Sequence, residues 1–246
     1  MSDSLVIIPT YNEIENVENI IRAVFDLPQL FHILIIDDGS PDGTAEVVKT
    51  LQGEFEEKLF LMERSGKLGL GTAYIAGFKW ALERSYNYIY EMDADFSHNP
   101  ADLSKLYDAC VNGADMAIGS RYSTGVNVVN WPMGRVLMSY FASRYVRFIT
   151  GMKVYDTTAG FICYKREVLN TIDLDNIRFK GYAFQIEMKY TAYCLGFNLK
   201  EVSIIFVNRV YGESKMSSGI FGEGFFGVIN LRIRKLFGQI RKKEKA

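Results

Sequence analysis

Two aspartates separated by one residue, Asp93 and Asp95, are the side chains of this chain best suited to do chemistry. They directly follow the run Tyr86–Met92, whose tyrosine and isoleucine content predicts a buried strand. At this spacing on extended chain, both carboxylates point to the same side and can face one ligand. Unpaired they would repel each other, whereas Mg²⁺ or Mn²⁺ prefers carboxylate oxygens and removes that penalty. The sequence therefore predicts a metal site, the alternative being an aspartate-rich turn before a helix from Pro100.

The elements that must position these aspartates alternate between strand and helix. Apolar runs predict strands at Leu5–Ile8, His32–Ile36, Lys58–Met62, Tyr86–Met92 and Ala114–Gly119, and apolar residues at helical spacing predict helices at Glu13–Phe25, Thr44–Phe55 and Thr72–Ser85. This alternation indicates an α/β fold with a mostly parallel central sheet flanked by helices, followed by irregular, arginine-containing chain. Such sheets bind ligands at the carboxyl ends of their strands. Polar residues stand at four of these ends, which predicts a functional cleft there.

Composition narrows the class of protein. The 246 residues are 48% hydrophobic and contain no apolar run near the roughly 18–20 residues that span a bilayer. The N-terminus has no basic segment before its first strand, so no signal peptide is predicted. Three widely spaced cysteines without a CxxC pair predict buried thiols in a reducing compartment. These features favour a cytoplasmic protein.

Charge is unevenly distributed although the net charge is only −1. Residues 1–60 hold twelve acidic and three basic side chains, whereas nine basic and three acidic ones follow Ile205. No acidic residue lies between Met116 and Tyr155, a stretch with five basic ones. The basic stretches indicate an anionic partner, for which phosphorylated small molecules or an anionic lipid surface fit better than nucleic acid.

Other familiar chemistries lack their residues. PTYNE stands where a dinucleotide fold needs its glycine fingerprint, and Gly66-Lys67 is followed by leucine, so no P-loop is present. Two histidines give no credible serine triad and no zinc cluster, although His98 could touch a ligand or be an exposed turn residue. A nucleotide-diphosphate site that uses Mg²⁺ or Mn²⁺ remains. Its phosphate charge would be neutralised by basic residues that include Arg121, Arg209 and Lys215.

Seven motifs in order carry a resemblance to a known family: PTYNE, IIDDGSPDGT, KLGLGTAY, MDADFSH, GSRY, NWP and RVYGESK. Together they resemble the GT-A glycosyltransferases of family 2 and, within them, the polyprenol-phosphate (dolichol-phosphate) mannose synthases. The resemblance extends from Leu5 to Ser218. It implies the GT-A fold for a catalytic domain at residues 1–218, with an acceptor loop at about 121–139.

The resemblance also implies site residues. The nucleoside pocket corresponds to Pro9, Tyr11, Glu13, Ile36 and Asp38, and the diphosphate–metal segment to Asp93, Ala94 and Asp95. The arginine beside the sugar phosphate corresponds to Arg121, the grip on the acceptor phosphate to Arg135 and Ser139, and a basic segment over the diphosphate to Arg209 and Lys215. Two positions depart from the pattern. Ser97 stands where some relatives have a metal-binding glutamine, and Val136 stands where a second basic residue often follows the loop arginine.

The implied activity is inverting, metal-dependent transfer of mannose from GDP-mannose to a polyprenyl phosphate. Because a lipid phosphate is already an anion at neutral pH, such a reaction needs positioning and charge screening but no catalytic base. The alternatives are transfer from UDP-glucose or another nucleotide sugar to the same acceptor, and a nucleotide-sugar binding protein without turnover.

A basic amphipathic segment at residues 219–246 completes the predicted organisation. Over Phe225–Lys245, apolar residues at helical spacing alternate with arginine and lysine. This pattern predicts a helix lying on an anionic membrane surface, the alternative being a helix docked on its own domain. The expected location is therefore peripheral, on the cytosolic face of a membrane, with a membrane-protein subunit as a possible partner and no nucleic acid.

Overall fold

The described residues of this computed structural model, 2–181, 183–209 and 220–243, form nine strands and eight α-helices. The strands are β1 (Ser4–Thr10), β2 (His32–Asp37), β3 (Leu59–Glu63), β4 (Tyr88–Glu91), β5 (Met116–Ser120), β6 (Val128–Val129), β7 (Ile162–Lys165), β8 (Leu199–Ser203) and β9 (Phe206–Val207). The helices are α1 (Val17–Phe25), α2 (Thr44–Gln52), α3 (Leu70–Leu82), α4 (Asp102–Val111), α5 (Met133–Thr150), α6 (Arg166–Thr171), α7 (Ala183–Cys194) and α8 (Ile220–Leu236).

Seven strands form one sheet in the order β3-β2-β1-β4-β7-β5-β8. Strands β1 to β4 pair in parallel, as do β5 and β8, and only β7 runs antiparallel, between β4 and β5. The predicted α/β fold with a mostly parallel sheet is confirmed. The strands β6 and β9 form a separate parallel pair beside the sheet.

Both faces of the sheet are buried, which explains why its strands read as continuous apolar runs. Along β1, Val6 and Ile8 face a core built with α1, α2 and α4, whereas Leu5 and Ile7 face a second core built with α3, α6 and α7. A third, smaller core lies between α5, α7 and α8. Helices on both faces leave the carboxyl edge of the sheet open for a site.

Glycine lets α3 approach α7 closely. A Cβ on Gly71 would lie 2.8 Å from the Phe179 carbonyl oxygen and 2.8 Å from the Phe184 ring, closer than real contacts allow. Gly71, in the first turn of α3, therefore serves close helix packing.

The structure differs from prediction after β5, where irregular chain was expected through residue 139. Residues 133–139 are the first two turns of the 18-residue helix α5. Pro132 stands just before its first turn, and Gly151 ends it with a left-handed φ of 76°. Proline before and glycine after a helix are its usual boundary signals, and here they outweigh the absence of a clear apolar stripe.

The helix α8 packs against α5 and α7 with one face. Val228 and Leu231 are buried there, and Arg234 forms a buried ion pair with Glu187 of α7. Beyond α8, Lys242 makes an antiparallel bridge with Ile172. The described part of the chain contains no helix long and apolar enough to cross a membrane.

Candidate active site

Six of the residues predicted from the sequence line one cavity of about 550 Å³, namely Asp93, Asp95, Arg121, Arg135, Ser139 and Arg209. The cavity lies beyond the carboxyl ends of β4 and β5, which deliver the aspartates and Arg121. Arg135 and Ser139 come from the first two turns of α5, and Arg209 follows β9. Four different parts of the chain thus bring two carboxylates and three guanidinium groups together.

The two aspartates have different surroundings although they face the same cavity. Asp95 is buried, accepts hydrogen bonds from the backbone N–H and the hydroxyl of Ser97, and pairs through Oδ2 with Arg209 at 3.0 Å. The side chain of Asp93 is 41% exposed. Desolvation by the cavity walls and the charge of Asp95 raise the pKa of Asp93 to about 7. The arrangement concentrates negative charge that a cation would stabilise.

This donor set fits a hard divalent cation. Both side chains offer carboxylate oxygens, and the mutual repulsion that raises the pKa of Asp93 is relieved by a bound cation. Among the described residues no third acidic, histidine or cysteine side chain joins them. A cation held by one or two carboxylates completes its coordination with water and substrate phosphates, which is the usual arrangement for Mg²⁺. Asp93 and Asp95 are thus the residues that would hold Mg²⁺ or Mn²⁺.

Arg121 is held rigidly by an aspartate that sequence reasoning missed. Its Nε donates to Asp156 Oδ2 at 2.7 Å and its Nη2 to Oδ1 at 2.6 Å, and Nη2 also donates to Thr158. Burial alone would raise the pKa of Asp156, but the charge and hydrogen bonds of Arg121 outweigh it and hold the pKa below its usual value. Arg121 is 8% exposed and Asp156 is fully buried, so the guanidinium has one fixed orientation at the cavity.

Arg135 lines the cavity from the first turn of α5. Its guanidinium stacks over the Trp131 ring at 4.0 Å from the centroid and donates to Asn208 Oδ1 at 2.9 Å. Ser139 lines the same cavity one helical turn further along α5. The residues expected to hold the acceptor phosphate therefore share a cavity with those expected to hold the diphosphate.

The predicted nucleoside residues lie at the ends of β1 and β2, outside the lining of this cavity. Pro9 and Ile36 are opposite each other in the parallel register, and the Ile36 side chain is in the core, so only its main chain can meet a nucleoside. Asp38 accepts from Arg64 Nε at 2.6 Å. Tyr11 carries Lys67 over its ring at 5.1 Å. The charge of Glu13 also contributes to the raised pKa of Asp93.

Two further polar residues at the strand ends, Asp37 and His98, have different roles. Asp37 supports the turn, because it accepts from the Thr10 hydroxyl at 2.9 Å and from the Ser40 backbone at 2.8 Å. His98 lines the cavity and is no exposed turn residue, since it is 3% exposed and stacks on Phe161. Burial lowers the pKa of His98 to about 4 and keeps the ring neutral.

Two predicted positions contribute no described side chain to the cavity. The Ala94 methyl is buried in the core on the α4 side of the sheet. Lys215 lies outside the described residues, as do Tyr211, Gly212, Glu213 and Ser214 of the same motif.

A buried polar cluster beneath the cavity was also missed. Glu91 of β4 is fully buried and accepts from the Tyr164 hydroxyl at 2.7 Å and from Gln185 Nε2 of α7. Lys189, one turn after Gln185, donates to the Ala159 carbonyl. The sequence signals for it were a glutamate inside the apolar run before Asp93 and two charged residues, Glu187 and Lys189, in the buried helix α7.

The remaining wall of the cavity is apolar. It is built from α5 and the start of the described part of α8, with Met138, Phe141 and Phe225 among its residues. Tyr145 joins the two helices, because its ring stacks on Phe225 at 4.8 Å and its hydroxyl donates to the Phe225 carbonyl. The cavity therefore offers a charged wall and an apolar wall.

Comparison with proteins of known sequence yields relatives that cover nearly the whole chain. A polyprenol monophosphomannose synthase of Mycolicibacterium smegmatis is 48% identical over 231 residues, which is 94% of this chain and 87% of that protein. An undecaprenyl-phosphate mannosyltransferase of Micrococcus luteus is 46% identical over 224 residues, 91% of each chain.

Solved structures share the fold at lower identity. A glucosyl-3-phosphoglycerate synthase from Mycobacterium tuberculosis, in complex with Mn²⁺, UDP and glucosyl-3-phosphoglycerate, has a TM-score of 0.66 at 18% identity, over 94% of this chain and 79% of that one. A mannosyltransferase from Pyrobaculum calidifontis, in complex with GDP-Man and Mn²⁺, has a TM-score of 0.60 at 16% identity, over 99% of this chain and 65% of that one. Both support the GT-A architecture.

The model of Glycosyl transferase family 2 matches residues 5–173, which include β1 to β7 and the two cavity aspartates. With this match and with relatives near half identity over most of its length, the chain belongs to glycosyltransferase family 2.

Proposed function

We propose that this protein transfers mannose from GDP-mannose to the phosphate of a polyprenyl phosphate, with Mg²⁺ or Mn²⁺ as its cofactor. The observation that carries the proposal is the shared cavity, which Asp93 and Asp95 line together with Arg135 and Ser139. Relatives named for mannosyl transfer to polyprenyl phosphates, at 48% and 46% identity, support the sugar and the acceptor. The GDP-Man complex of the mannosyltransferase from Pyrobaculum calidifontis supports the nucleotide.

The chemistry requires two phosphates to meet at one sugar carbon. An oxygen of the acceptor phosphate attacks the anomeric carbon of mannose, and the bond from that carbon to the diphosphate oxygen breaks, so that GDP leaves. The nucleophile is already an anion at neutral pH, so no side chain must remove a proton. The divalent cation would neutralise charge on the leaving diphosphate.

The side chains of the cavity then act by positioning and by charge. Arg121 cannot swing away, because Asp156 and Thr158 fix its guanidinium. Arg209 pairs with Asp95 and so lies beside the predicted diphosphate position. Arg135 presents a stacked guanidinium to the acceptor phosphate, and Lys215 is proposed to add a further positive charge at the diphosphate. Fixed charges of this kind stabilise a transition state without reorganising during the reaction.

We also propose that α5 and α8 bring the protein to a membrane surface, where a polyprenyl phosphate resides. Both helices expose apolar side chains, at Met133, Leu137, Phe141 and Phe148 of α5 and at Phe226, Ile229, Ile233 and Leu236 of α8. The contact between Tyr145 and Phe225 makes the two exposed faces neighbours. Exposed apolar rows beside Arg144, Arg147 and Arg232 are suited to an anionic leaflet.

This surface leads directly to the cavity. Phe141 is 59% exposed and also lines the cavity wall, and Phe225 is 49% exposed and does the same. A lipid chain lying against these side chains would stay in apolar surroundings while its phosphate reaches Arg135. The proposed location is therefore peripheral, on the membrane leaflet that holds the acceptor.

The test is a transfer assay with detergent-solubilised protein. Labelled GDP-mannose, a polyprenyl phosphate and Mn²⁺ or Mg²⁺ are incubated together, and label is counted in the organic phase. We expect lipid-linked mannose that disappears with EDTA and falls on the order of a hundredfold in Asp95→Ala. Asp108→Ala, an exposed aspartate of α4 outside the cavity, is the matched control and should transfer normally. No transfer by the wild-type protein, or transfer from UDP-glucose in preference, would refute the proposal.

The acceptor side is tested in the same assay by comparing two arginines that stack on tryptophan. Arg135 lies over Trp131 at 4.0 Å, and Arg84 lies over Trp80 at 3.6 Å, away from the cavity. Loss of a charge-assisted phosphate contact in Arg135→Ala should raise the KM for polyprenyl phosphate about tenfold and leave the KM for GDP-mannose unchanged. Arg84→Ala should change neither, and equal effects of the two variants would contradict the assignment.

A further inference from the structure

The side chain of Gln185 stands at the junction of the cavity and the buried polar cluster. It lies in the first turn of α7, is 2% exposed and lines the same cavity as Asp93 and Asp95. A glutamine amide has two donors on nitrogen and an acceptor oxygen, and a buried one normally satisfies both ends. In Gln185 the amide nitrogen and the amide oxygen differ in their hydrogen bonding.

The amide nitrogen of Gln185 is hydrogen-bonded to Glu91. Gln185 Nε2 donates to one oxygen of the Glu91 carboxylate, and the Tyr164 hydroxyl donates to the other oxygen at 2.7 Å. The amide therefore presents its nitrogen to Glu91 and turns its oxygen away from that carboxylate. Gly160 packs against the same amide, since a Cβ added to Gly160 would lie 3.6 Å from Gln185 Nε2.

The amide oxygen of Gln185 lacks a comparable hydrogen bond within the described part of the chain. Gln185 Oε1 is buried and has no hydrogen-bond partner among the residues that the structure describes. The backbone carbonyl of Gln185 is separately engaged by Lys189 Nζ at 3.2 Å, which ties this turn of the helix down. A buried acceptor without a partner is costly, and this one belongs to a fixed side chain that lines the cavity.

We propose that Gln185 is a specificity-determining residue whose Oε1 accepts a hydrogen bond from one hydroxyl of the donor hexose, with Glu91 as the positioning residue that orients the amide. This inference rests on the proposed function and names the group that reads the sugar. A hexose beside the Asp93–Asp95 diphosphate site presents hydroxyl donors to this part of the cavity. The hydroxyl supplies the proton that Oε1 lacks, and a donor sugar without it would leave the acceptor unsatisfied.

The test uses GDP-mannose and its four monodeoxy analogues, lacking the 2-, 3-, 4- or 6-hydroxyl. In the wild-type protein, removal of the recognised hydroxyl should lower kcat/KM about tenfold, the size of one hydrogen bond. In Gln185→Met, which keeps the length but removes the amide, the penalty at that one hydroxyl should disappear and the other three should persist. The affinity for GDP alone, measured by calorimetry, should stay within about twofold of wild type, because GDP has no hexose.

Tyr164→Phe is the matched control. It removes the other hydrogen bond to the same Glu91 carboxylate, but Tyr164 does not line the cavity. A purely structural role of the cluster would make both variants behave alike, with lower stability and an unchanged pattern of deoxy penalties. We expect Tyr164→Phe to lose stability and keep the wild-type pattern, whereas Gln185→Met loses one penalty.

Two results would overturn the inference. If all four penalties in Gln185→Met equal those of the wild type, Gln185 does not read the sugar, although the proposed function stands. If the wild-type protein transfers nothing from GDP-mannose, the proposed function fails and the inference fails with it. Should Gln185→Met not fold, Gln185→Asn draws the amide back by one methylene and should lose the same single penalty.

Discussion

The two walls of the cavity are built in opposite ways. On the sheet side, buried charged residues hold each other: Asp156 fixes Arg121, Ser97 and Arg209 fix Asp95, and Glu91 fixes Gln185. On the side of α5 and α8, apolar side chains predominate and many are exposed, with Phe148 at 86%.

This difference matches the two kinds of substrate that the proposed reaction joins. A nucleotide sugar is small, polar and charged, so its site gains from groups held in place before it arrives. A polyprenyl chain is long and apolar, and it needs a surface continuous with the membrane more than it needs fixed contacts. Substitutions on the two walls should therefore fail in different ways, in stability and chemistry on one and in lipid binding on the other.

The largest effect is expected from Asp156→Ala on the charged wall. The variant leaves the Arg121 guanidinium buried without its carboxylate partner, and breaking a buried ion pair typically costs about 3–5 kcal/mol. Urea unfolding should report a loss of that size, and transferase activity should fall with it because Arg121 loses its orientation. The exposed Asp108→Ala should change the free energy of unfolding by no more than about 0.5 kcal/mol. A similar small loss for Asp156→Ala would mean that this wall is not held by its buried charges.

A medium effect, visible as pH dependence, is expected from Glu91. Burial raises the pKa of Glu91 from 4.5 to about 7. Between these values the folded protein holds a proton that the unfolded chain has released, so stability is highest at low pH and is lost as the pH rises through about 7. Glu91→Gln cannot titrate and should lack this contribution, which is on the order of 2 kcal/mol.

The measurement is the difference in unfolding free energy between the wild type and Glu91→Gln at pH 5 and at pH 8. The wild type should lose more stability than the variant over this range. Glu167→Gln, an exposed glutamate of α6, should follow the wild type at both values. Parallel pH profiles of wild type and Glu91→Gln would show that the cluster beneath the cavity does not carry the proton.

The smallest effect is expected on the apolar wall, from Phe148→Ser. The side chain is exposed and contributes little to folding, so the unfolding free energy should stay within about 0.5 kcal/mol of wild type. Flotation with anionic vesicles should show about fivefold weaker binding, the value for losing roughly half of a phenylalanine's burial in the lipid. Val111→Ser, 53% exposed on α4, is the matched control and should bind vesicles like the wild type. Equal vesicle binding by Phe148→Ser and the wild type would remove α5 from the proposed membrane surface.

How far the sequence could predict this site depended on how many residues separate the contacting side chains along the chain. Asp93 and Asp95 were predictable because a strand places residues two apart on one side, and their position at the end of β4 follows from the local pattern. The pairing of Arg121 with Asp156 was not, because 35 residues separate them and neither is unusual in its own segment. Arginines of α5 were visible as charges, yet the first two turns of the helix were missed because their apolar residues face both the cavity and the solvent.

The sequence by itself determined the alternating strands and helices, the mostly parallel sheet and the polar residues at the strand ends, because these depend on local patterns of apolar residues. Its motifs also pointed to the family. Only the tertiary structure decided which of these residues share one cavity, that Asp156 fixes Arg121, and that Gln185 presents an unpartnered oxygen above Glu91. Such contacts join residues far apart in the chain, and they follow from how the helices pack on the sheet, which no local pattern encodes.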